Sequence, residues 1–392
     1  MTDALIVGGG PVGLFLGSLL LQHGVEVRVL ERRTGRNAHT RAIGIHPPAL
    51  AALERIGVAR ELIGRGVPIR QGFAVSKGRR IARMQFAPVS ERYPFVLAVP
   101  QPVTEEVLER RLRELDSGAL IRNARVTGMH DDGGRVTLSV TTGGGAASHS
   151  AAFAVGADGA YSTMRSLLGV PAPEKLYPDH YLMGDFPESS AFGSDAALFL
   201  ERDGIVESFP LPGGVRRWVV RLGRPPACPD AEQLAGLVAR RTGVPLDAGA
   251  NTMLSSFSVR ARLAARMVSG RTALIGDAAH EISPIGGQGM NLGWLDAEAL
   301  LPAILTVVRG EPSAPALRLF DASRRRAAAA AKRQAEVNMA LGRPLPDGLL
   351  RPRNAAIAGV AAIPAFNALV ARRFTMQGGP RSDAVRGTRL SP

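Results

Sequence analysis

A glycine-rich turn near the N-terminus has the spacing of a dinucleotide-binding site. Gly8, Gly10 and Gly13 lie between a short apolar run and a stretch with helical apolar spacing, and Glu31 ends the next alternating run. In such turns the first glycine permits a tight bend, the second lets the backbone approach a pyrophosphate, and the third lets the helix pack closely on the strand. The helix N-terminus offers N–H groups to the phosphates, and the acid can accept ribose hydroxyls. The sequence therefore predicts a dinucleotide site, and the alternative is a glycine-rich turn that binds no ligand.

Two further segments place an aspartate directly after a short apolar run. The first is the segment 155–165, VGADGAYSTMR, and the second is the segment 273–291, ALIGDAAHEISPIGGQGMN. A carboxylate at the end of a strand is suited to hold the hydroxyl groups of a polyol. With the glycine turn and Glu31, the two segments form a three-part pattern.

The elements that would position these segments alternate between strands and helices. Helices are expected at Leu14–Gln22, at Thr104–Leu115 with Glu105 and Glu106 in its first turn, and at Trp294–Val308. Short strands are expected over Asp3–Val7, Val25–Leu30, Phe153–Val155 and Ala273–Ile275, and a mostly antiparallel sheet over residues 177–262.

Taken together, the three segments resemble single-component (class A) flavoprotein monooxygenases of the para-hydroxybenzoate hydroxylase type, over roughly residues 3–300. The resemblance implies non-covalent FAD as the cofactor and NAD(P)H as a co-substrate that docks transiently. It implies that Asp277 and Gln101 contact the ribityl chain, that Arg41 lies near the pyrophosphate, and that the segment 158–165 serves both nucleotides. The cofactor-binding residues that it implies are Gly8, Gly10, Pro11, Val12, Gly13, Glu31, Arg32, Arg41, Gln101, Val126, Asp158, Gly159, Arg165, Gly276, Asp277, Gly289, Met290 and Asn291.

The same resemblance implies a catalytic wall beside the isoalloxazine ring, formed by Pro284, Gly286 and Gly287. Small residues there let backbone N–H groups reach the N1/O2 edge and stabilise reduced flavin. His280 and His46 complete the catalytic set, with a structural role for His280 left open. Candidates for orienting or deprotonating a phenol are His46, Tyr161, Tyr177, His180 and Tyr181. No metal site is expected.

The resulting fold class is α/β, with a Rossmann-like FAD-binding domain, an inserted and mostly antiparallel β-sheet domain for the substrate, and C-terminal helices. The expected boundaries are 1–70, 96–170 and 265–320 for the FAD-binding domain, 71–95 and 171–264 for the substrate domain, and 321–392 for a basic helical region.

The C-terminal region carries most of the positive charge. Residues 321–392 contain 13 basic and 4 acidic residues, which is +9 of the net +14. The apolar run Ala355–Ala371 is interrupted by Pro364, which should bend or divide a helix there. We expect its apolar face to pack on the body and cap the substrate cavity, and the alternative is contact with a membrane surface. The residues of that face are Ile357, Val360, Ile363, Phe366 and Leu369.

Composition excludes several other classes of function. A single cysteine, Cys228, cannot form an intramolecular disulfide framework, a CxxC pair or a thiolate zinc site. Aromatic residues make up only 5%, which argues against a base-stacking nucleic-acid surface. The N-terminus lacks a basic segment before an apolar stretch, so we expect no signal peptide and a cytoplasmic location.

The resemblance implies a monooxygenase that uses NAD(P)H and O₂ to hydroxylate a phenolic, polyketide-like or lipophilic aromatic substrate through a flavin C4a-hydroperoxide. One alternative is a flavin reductase of the geranylgeranyl-reductase type, which shares the first motif. Another is a flavin-bound protein that sequesters an intermediate without oxidising it. Similarity of the GGQGMNLGWLDA stretch to isoprenoid-quinone and phenolic-lipid hydroxylases favours a hydrophobic phenol.

Overall fold

A computed structural model describes residues 2–36 and 42–377 of the 392-residue chain. Arg41, which was expected near the pyrophosphate, lies outside the described residues. The strands are β1 Ala4–Val7, β2 Val27–Glu31, β3 Gly44–Ile45, β4 Val67–Ile69, β5 Gln71–Ser76, β6 Arg79–Gln85, β7 Val96–Ala98, β8 Leu120–Arg122, β9 Arg125–Asp131, β10 Val136–Thr142, β11 Gly145–Ala151, β12 Phe153–Gly156, β13 Glu174–Pro187, β14 Ala196–Phe199, β15 Val206–Leu211, β16 Val215–Leu222, β17 Met253–Leu263, β18 Val268–Ser269, β19 Thr272–Leu274 and β20 His280–Glu281.

The helices cover these sheets and form most of the C-terminal part of the described chain. They are α1 Pro11–Gln22, α2 Pro47–Arg55, α3 Ala59–Gly64, α4 Gln101–Leu115, α5 Thr163–Leu167, α6 Ala231–Thr242, α7 Gln288–Val308, α8 Ala314–Leu341, α9 Asp347–Ala362 and α10 Pro364–Phe374.

The nucleotide-binding half is built on a six-stranded sheet with the order β18-β19-β12-β1-β2-β8. Its strands pair in parallel except at the β18 edge, and β1 lies in the middle with all four residues buried. Helices α1, α4 and α7 cover the sheet, and their apolar residues join one core cluster with β1, β2 and β12. The loops that follow β1, β12 and β19 therefore meet at one edge, where ligands bind in open α/β sheets.

The second half is built on an eight-stranded sheet with the order β20-β17-β13-β16-β15-β14-β5-β6. Its pairs are antiparallel except for β14 with β5. Helix α6 packs on one face of this sheet, where Leu234 and Val238 contact Val206 and Trp218. The predicted α/β fold class, with an inserted antiparallel sheet and C-terminal helices, is confirmed.

Three predicted helix starts are wrong. Helix α1 begins at Pro11, three residues before the predicted Leu14, because proline fits the first position of a helix. Helix α4 begins at Gln101, because Pro102 fits a first helical turn, so Glu105 and Glu106 lie beyond that turn. Helix α7 begins at Gln288, six residues before the predicted Trp294, because Gly287 adopts a left-handed conformation (φ 66°) that starts the helix directly after the glycine turn.

The C-terminal helices divide at Pro364 as predicted, with a bend of 101° between α9 and α10. Ile357 and Val360 line the cavity described below, but the predicted packing is wrong for Ile363, Phe366 and Leu369. These three side chains are 44–52% exposed, whereas Ala371 and Phe374 on the same helix α10 pack against the body.

One helix, α7, is long and apolar enough by length and composition to cross a membrane. Most of it is buried between the two halves of the core, with Trp294, Ala297, Leu300 and Ile304 fully enclosed. Such burial is the behaviour of a core helix in a globular protein.

Candidate functional site

The glycine turn after β1 is shaped by close backbone contacts. Gly8 has φ 111°, and a Cβ atom there would overlap the carbonyl group of Ala157. A Cβ atom on Gly13 would overlap the carbonyl oxygen of Gly8, which is how α1 comes so close to the strand. Around Gly10, by contrast, the space where a Cβ atom would project is open for 4 Å. The turn thus leaves a cradle beside the first N–H groups of α1, which have no partners within the helix.

Glu31 is a buried carboxylate at the end of β2, and it faces this turn. Its Oε2 accepts a hydrogen bond from the Gly9 N–H at 2.7 Å, and its Oε1 accepts bonds from the backbone N–H and Nε of Arg33 at 2.8 and 3.0 Å. Burial alone would raise the pKa of Glu31, but the bonds from Arg33 and Gly9 outweigh it and lower that pKa. Glu31 is therefore an ionised acceptor. A ribose hydroxyl group would bind the same carboxylate as Arg33, and Arg33 was not predicted from the sequence. Its neighbour Arg32 lines the same part of the cavity.

Asp277 provides the clearest sign that a polar ligand belongs here. It follows Gly276, which has φ 60°, and its side chain lies in the wall of the cavity, exposed toward the cavity interior and flanked by protein. Within residues 2–36 and 42–377 its carboxylate accepts no hydrogen bond, and burial raises its pKa. A carboxylate left without donors is matched by the hydroxyl groups of a ribityl chain. Gln101 lines the same cavity, where its amide donates to Glu105 Oε1 at 2.8 Å.

The turn before α7 combines two left-handed glycines, Gly286 (φ 94°) and Gly287 (φ 66°). His46 Nε2 lies 3.1 Å from the carbonyl oxygen of Gly286. The side chain of Asn291 accepts from the backbone N–H of His46 at 2.8 Å and donates to the carbonyl oxygen of Gly287 at 2.6 Å. Burial lowers the pKa of His46 to about 4, so the ring is neutral and donates through Nε2. His46 and Asn291 therefore fix the turn, and Pro284, Gly289 and Val126 line the cavity around it.

His280 is placed away from the cavity lining. Its Nε2 hydrogen-bonds Asp296, which also accepts from the Gly276 N–H at 3.1 Å and from Arg324 Nε at 2.7 Å. Burial opposes protonation, but the charge of Asp296 outweighs it and raises the pKa of His280. The geometry gives His280 a positioning role beneath Gly276 rather than contact with substrate. Asp296 and Arg324 were not identified from the sequence, because the two residues meet only when α7 and α8 pack together.

The segment after β12 closes the third side of the cradle. Asp158 lines the cavity, but its carboxylate accepts from Ser162 Oγ at 2.5 Å and from the Met164 N–H at 3.0 Å, so it stabilises the start of α5. Arg165 donates to the carbonyl oxygens of Ala278 and Ala160, both at 2.8 Å, and thereby ties this turn to the Gly276 turn. Arg165 therefore acts on the shape of the cradle from outside the cavity.

One cavity of about 1310 Å³ joins the cradle to an apolar compartment between the eight-stranded sheet and α9 and α10. Of the predicted phenol-orienting residues, only His46 lies among the described residues that line it. The other four have contacts elsewhere. Tyr161 is on the surface between Arg260 and Arg262, and Tyr177 donates to Glu336 at 2.6 Å. His180 is hydrogen-bonded to Ser258 at 2.7 Å, and Tyr181 stacks on Phe257. The residues that line the compartment include Phe73, Met84, Phe86, Met183, Leu198, Ile205, Phe209, Val219, Phe257, Ile357, Val370 and Phe374.

Glu207 on β15 is the one acidic residue in that apolar compartment, within the part of the chain that the structure describes. It is buried, it lines the cavity, and burial raises its pKa to about 7. Glu207 was not predicted from the sequence to line the cavity. The available signal was an acid inside an apolar strand, in the stretch VESFPL.

A mostly parallel sheet, an open glycine cradle and an aspartate that accepts no hydrogen bond from the described residues together form the arrangement of a dinucleotide-binding protein. The FAD binding domain family matches residues 1–335, and the chain belongs to that family. FAD is therefore its cofactor.

The relatives of the chain are monooxygenases of aromatic compounds. It is 33% identical over 335 residues to 6-methylpretetramide 4-monooxygenase of Streptomyces rimosus, covering 82% of this chain and 59% of that protein. It is 31% identical over 338 residues to para-nitrophenol 4-monooxygenase of a Pseudomonas species, covering 83% of each. The crystal structure of p-nitrophenol 4-monooxygenase from Pseudomonas putida superimposes with a TM-score of 0.87, at 27% identity and with 97% and 99% of the two chains covered. These matches confirm the predicted resemblance to class A FAD-dependent aromatic hydroxylases.

Proposed function

We propose that the chain hydroxylates an aromatic substrate with FAD, NAD(P)H and O₂. The observation that carries the proposal is the single cavity, which connects the phosphate-facing cradle at Gly10 to an apolar compartment large enough for a ring system. The relatives named above are monooxygenases, and we carry over only this class of reaction because the chain spans 59% of the length of the first of them.

FAD, when bound, supplies the redox chemistry: it takes electrons from NAD(P)H, activates O₂ and transfers one oxygen atom. The residues of the chain bind and orient it. We assign the pyrophosphate to Gly10 and the N-terminus of α1, the adenosine ribose to Glu31, and the ribityl chain to Asp277 with Gln101. Open space at Gly10 and the missing donors at Asp277 support this assignment.

The N-terminus of α7 supplies the electrostatics at the junction with the substrate compartment. The first N–H groups of this 21-residue helix point out of the Gly286-Gly287 turn, and a helix N-terminus favours negative charge. His46 and Asn291 hold the turn from behind, so these donors need no rearrangement. The apolar walls of the compartment exclude water from the ring to be oxidised.

The division into domains follows the two sheets in our proposal. Residues 1–70, 96–170 and 265–320 form the FAD-binding domain, and residues 71–95 and 171–264 form the substrate domain. Residues 321–392 form the basic C-terminal region, which is helical over most of its described part and whose last 15 residues lie outside the described residues. Pairing of β5 and β6 with the eight-stranded sheet supports the assignment of 71–95 to the substrate domain. We propose a cytoplasmic location, since the helix that best satisfies the length and composition of a membrane span is largely buried in the core.

The proposal is tested with FAD-loaded protein and a panel of phenols under ¹⁸O₂. A substrate should accelerate NAD(P)H oxidation and appear in a product that carries one ¹⁸O atom. Addition of two hydrogen atoms without ¹⁸O would instead identify a reductase. Tight binding of an aromatic compound with no acceleration of NAD(P)H oxidation would identify a sequestering protein. Asp277→Ala protein without FAD is the control for flavin-independent oxidation.

A further inference from the structure

Glu207 is a buried carboxylate that has no partner among the described residues and that lies in a compartment lined mostly by apolar side chains. Its side chain is 7% exposed, and that exposure is toward the cavity. Across the described residues, its carboxylate makes no hydrogen bond or ion pair. Burying an unpaired carboxylate is costly, and native proteins tolerate it mainly where a ligand supplies the missing partner.

The register of the sheet places Glu207 on the cavity face. Glu207 pairs with Val219 on β16 and with Leu198 on β14, and both partners line the cavity. Its neighbours Val206 and Ser208 point to the opposite face, where Val206 packs with Trp218 and Ser208 Oγ accepts from Arg216 at 2.9 Å. Side chains alternate between the faces of a strand, so Glu207 cannot leave the cavity without a shift of register.

The two cations that flank Val219 on this face are already paired with other acids. Arg217, two positions before Val219 on β16, makes a bidentate ion pair with Asp185, with both N···O distances at 2.7 Å. Arg221, two positions after Val219, donates to Asp179 at 2.8 Å. Tyr181 on β13 contributes a buried hydroxyl group and carries no charge at neutral pH, because burial raises its pKa. Glu207 therefore takes no part in the Arg217–Asp185 ion pair, and its carboxylate is left to accept a hydrogen bond from a ligand.

We propose that Glu207 binds and orients an aromatic hydroxyl group of the substrate, which makes a hydroxylated aromatic compound the substrate class. The inference rests on the proposed function. In this arrangement the substrate O–H donates to the carboxylate of Glu207, and no covalent bond is broken. A charge-assisted hydrogen bond of this kind increases the electron density of the ring, which favours attack of the ring on an electrophilic oxygen. The same hydrogen bond fixes which edge of the ring faces the flavin. Glu207 is thus a positioning residue.

The test compares two probes that differ only in the donor, 2-naphthol and 2-methoxynaphthalene. Their dissociation constants are measured from the change in flavin absorbance of FAD-loaded wild-type, Glu207→Leu and Glu207→Gln proteins. Wild type should bind the naphthol more tightly than its ether by about tenfold to hundredfold, the range of a hydrogen bond to a charged group. Glu207→Leu should abolish that preference while keeping affinity for the ether, and Glu207→Gln should keep part of it.

The matched control is Glu232→Gln, which makes the same chemical change on an exposed residue of α6. It should leave both dissociation constants unchanged. An unchanged preference in Glu207→Leu would overturn the inference, and so would an equal loss of affinity for both probes. The proposed function fails separately: the donor preference and its loss in Glu207→Leu would persist, but no probe or phenol would gain an oxygen atom.

Discussion

The stability of the protein should depend on pH through Glu207, and Glu207→Gln should remove that dependence. Burial raises the pKa of this carboxyl from its ordinary 4.5 to about 7. Between these values the folded protein keeps the proton and the unfolded chain releases it, so the stability of the wild type falls as pH rises and levels off above pH 7. At about 1.4 kcal/mol per pKa unit, the full loss is about 3 kcal/mol. Glutamine has the same shape and does not titrate, so its advantage should grow from about 1 kcal/mol at pH 5 to about 3 kcal/mol at pH 8.

The assay is urea unfolding of FAD-loaded wild-type, Glu207→Gln and Glu232→Gln proteins at pH 5, 6, 7 and 8, with free FAD held constant. Only the difference between variants is interpreted, because His46 and His280 also titrate and contribute equally to every protein. The ion pair of Arg217 with Asp185 is likewise present in all three. A difference between Glu207→Gln and wild type that stays constant from pH 5 to pH 8 would refute the reasoning, since it would mean that Glu207 titrates as an ordinary surface carboxyl.

Four further predictions concern the cofactor and the C-terminal helices. Asp277→Ala should weaken FAD binding by about tenfold to hundredfold in a flavin-fluorescence titration. Asp277→Asn still accepts hydrogen bonds and should lose less affinity for FAD. Equal losses of affinity in the two variants would mean that the ribityl chain lies elsewhere. Glu31→Ala should also weaken FAD by about tenfold or more, and unchanged affinity in a well-folded variant would mean that Arg33 keeps the carboxylate from the ribose. Deletion of residues 351–392 should reduce substrate-stimulated NAD(P)H oxidation, because α9 and α10 line the compartment. Full-length protein should stay in the supernatant with anionic vesicles, and strong pelleting that salt reverses would point to membrane docking through the exposed apolar face of α10.

The cradle could be predicted from the sequence because its constraints are local. Gly13 is required by a contact with Gly8 inside one strand–turn–helix unit, Gly8 has a φ of 111° that favours glycine, and Glu31 is one strand further on. Asp277 was accessible to the same reasoning, since it directly follows a short apolar strand. The spacing could not show that Glu31 is also bonded to Arg33, because that contact depends on how the chain turns after β2.

The residues behind the cradle were harder to predict because they come from distant parts of the chain. Asp296 on α7 joins His280 and Arg324, which lie 16 residues before it and 28 residues after it. Asn291 meets His46 across 245 residues. In the sequence, His280 and His46 are polar residues in conspicuous motifs, which suggested a catalytic role. In the structure His46 hydrogen-bonds the Gly286 turn directly, whereas His280 hydrogen-bonds Asp296, which in turn accepts from the Gly276 N–H.

Glu207 escaped prediction for a different reason, which lies in the architecture of its sheet. An acid in an alternating strand normally marks the solvent face, and its apolar neighbours mark the core. The eight-stranded sheet has no solvent face at β15, because α6 covers one side and the cavity lies on the other. Both residue sets of VESFPL are therefore mostly apolar, and only the pairing of Glu207 with Val219 decides which set faces the cavity. A shift of one residue would put Val206 and Ser208 in the compartment and bury Glu207 under α6 with no ligand to pair it. The observed strand register is thus the one that lets Glu207 face the ligand. If Glu207→Leu loses the preference for 2-naphthol over 2-methoxynaphthalene, that result would support both the register and the role of Glu207.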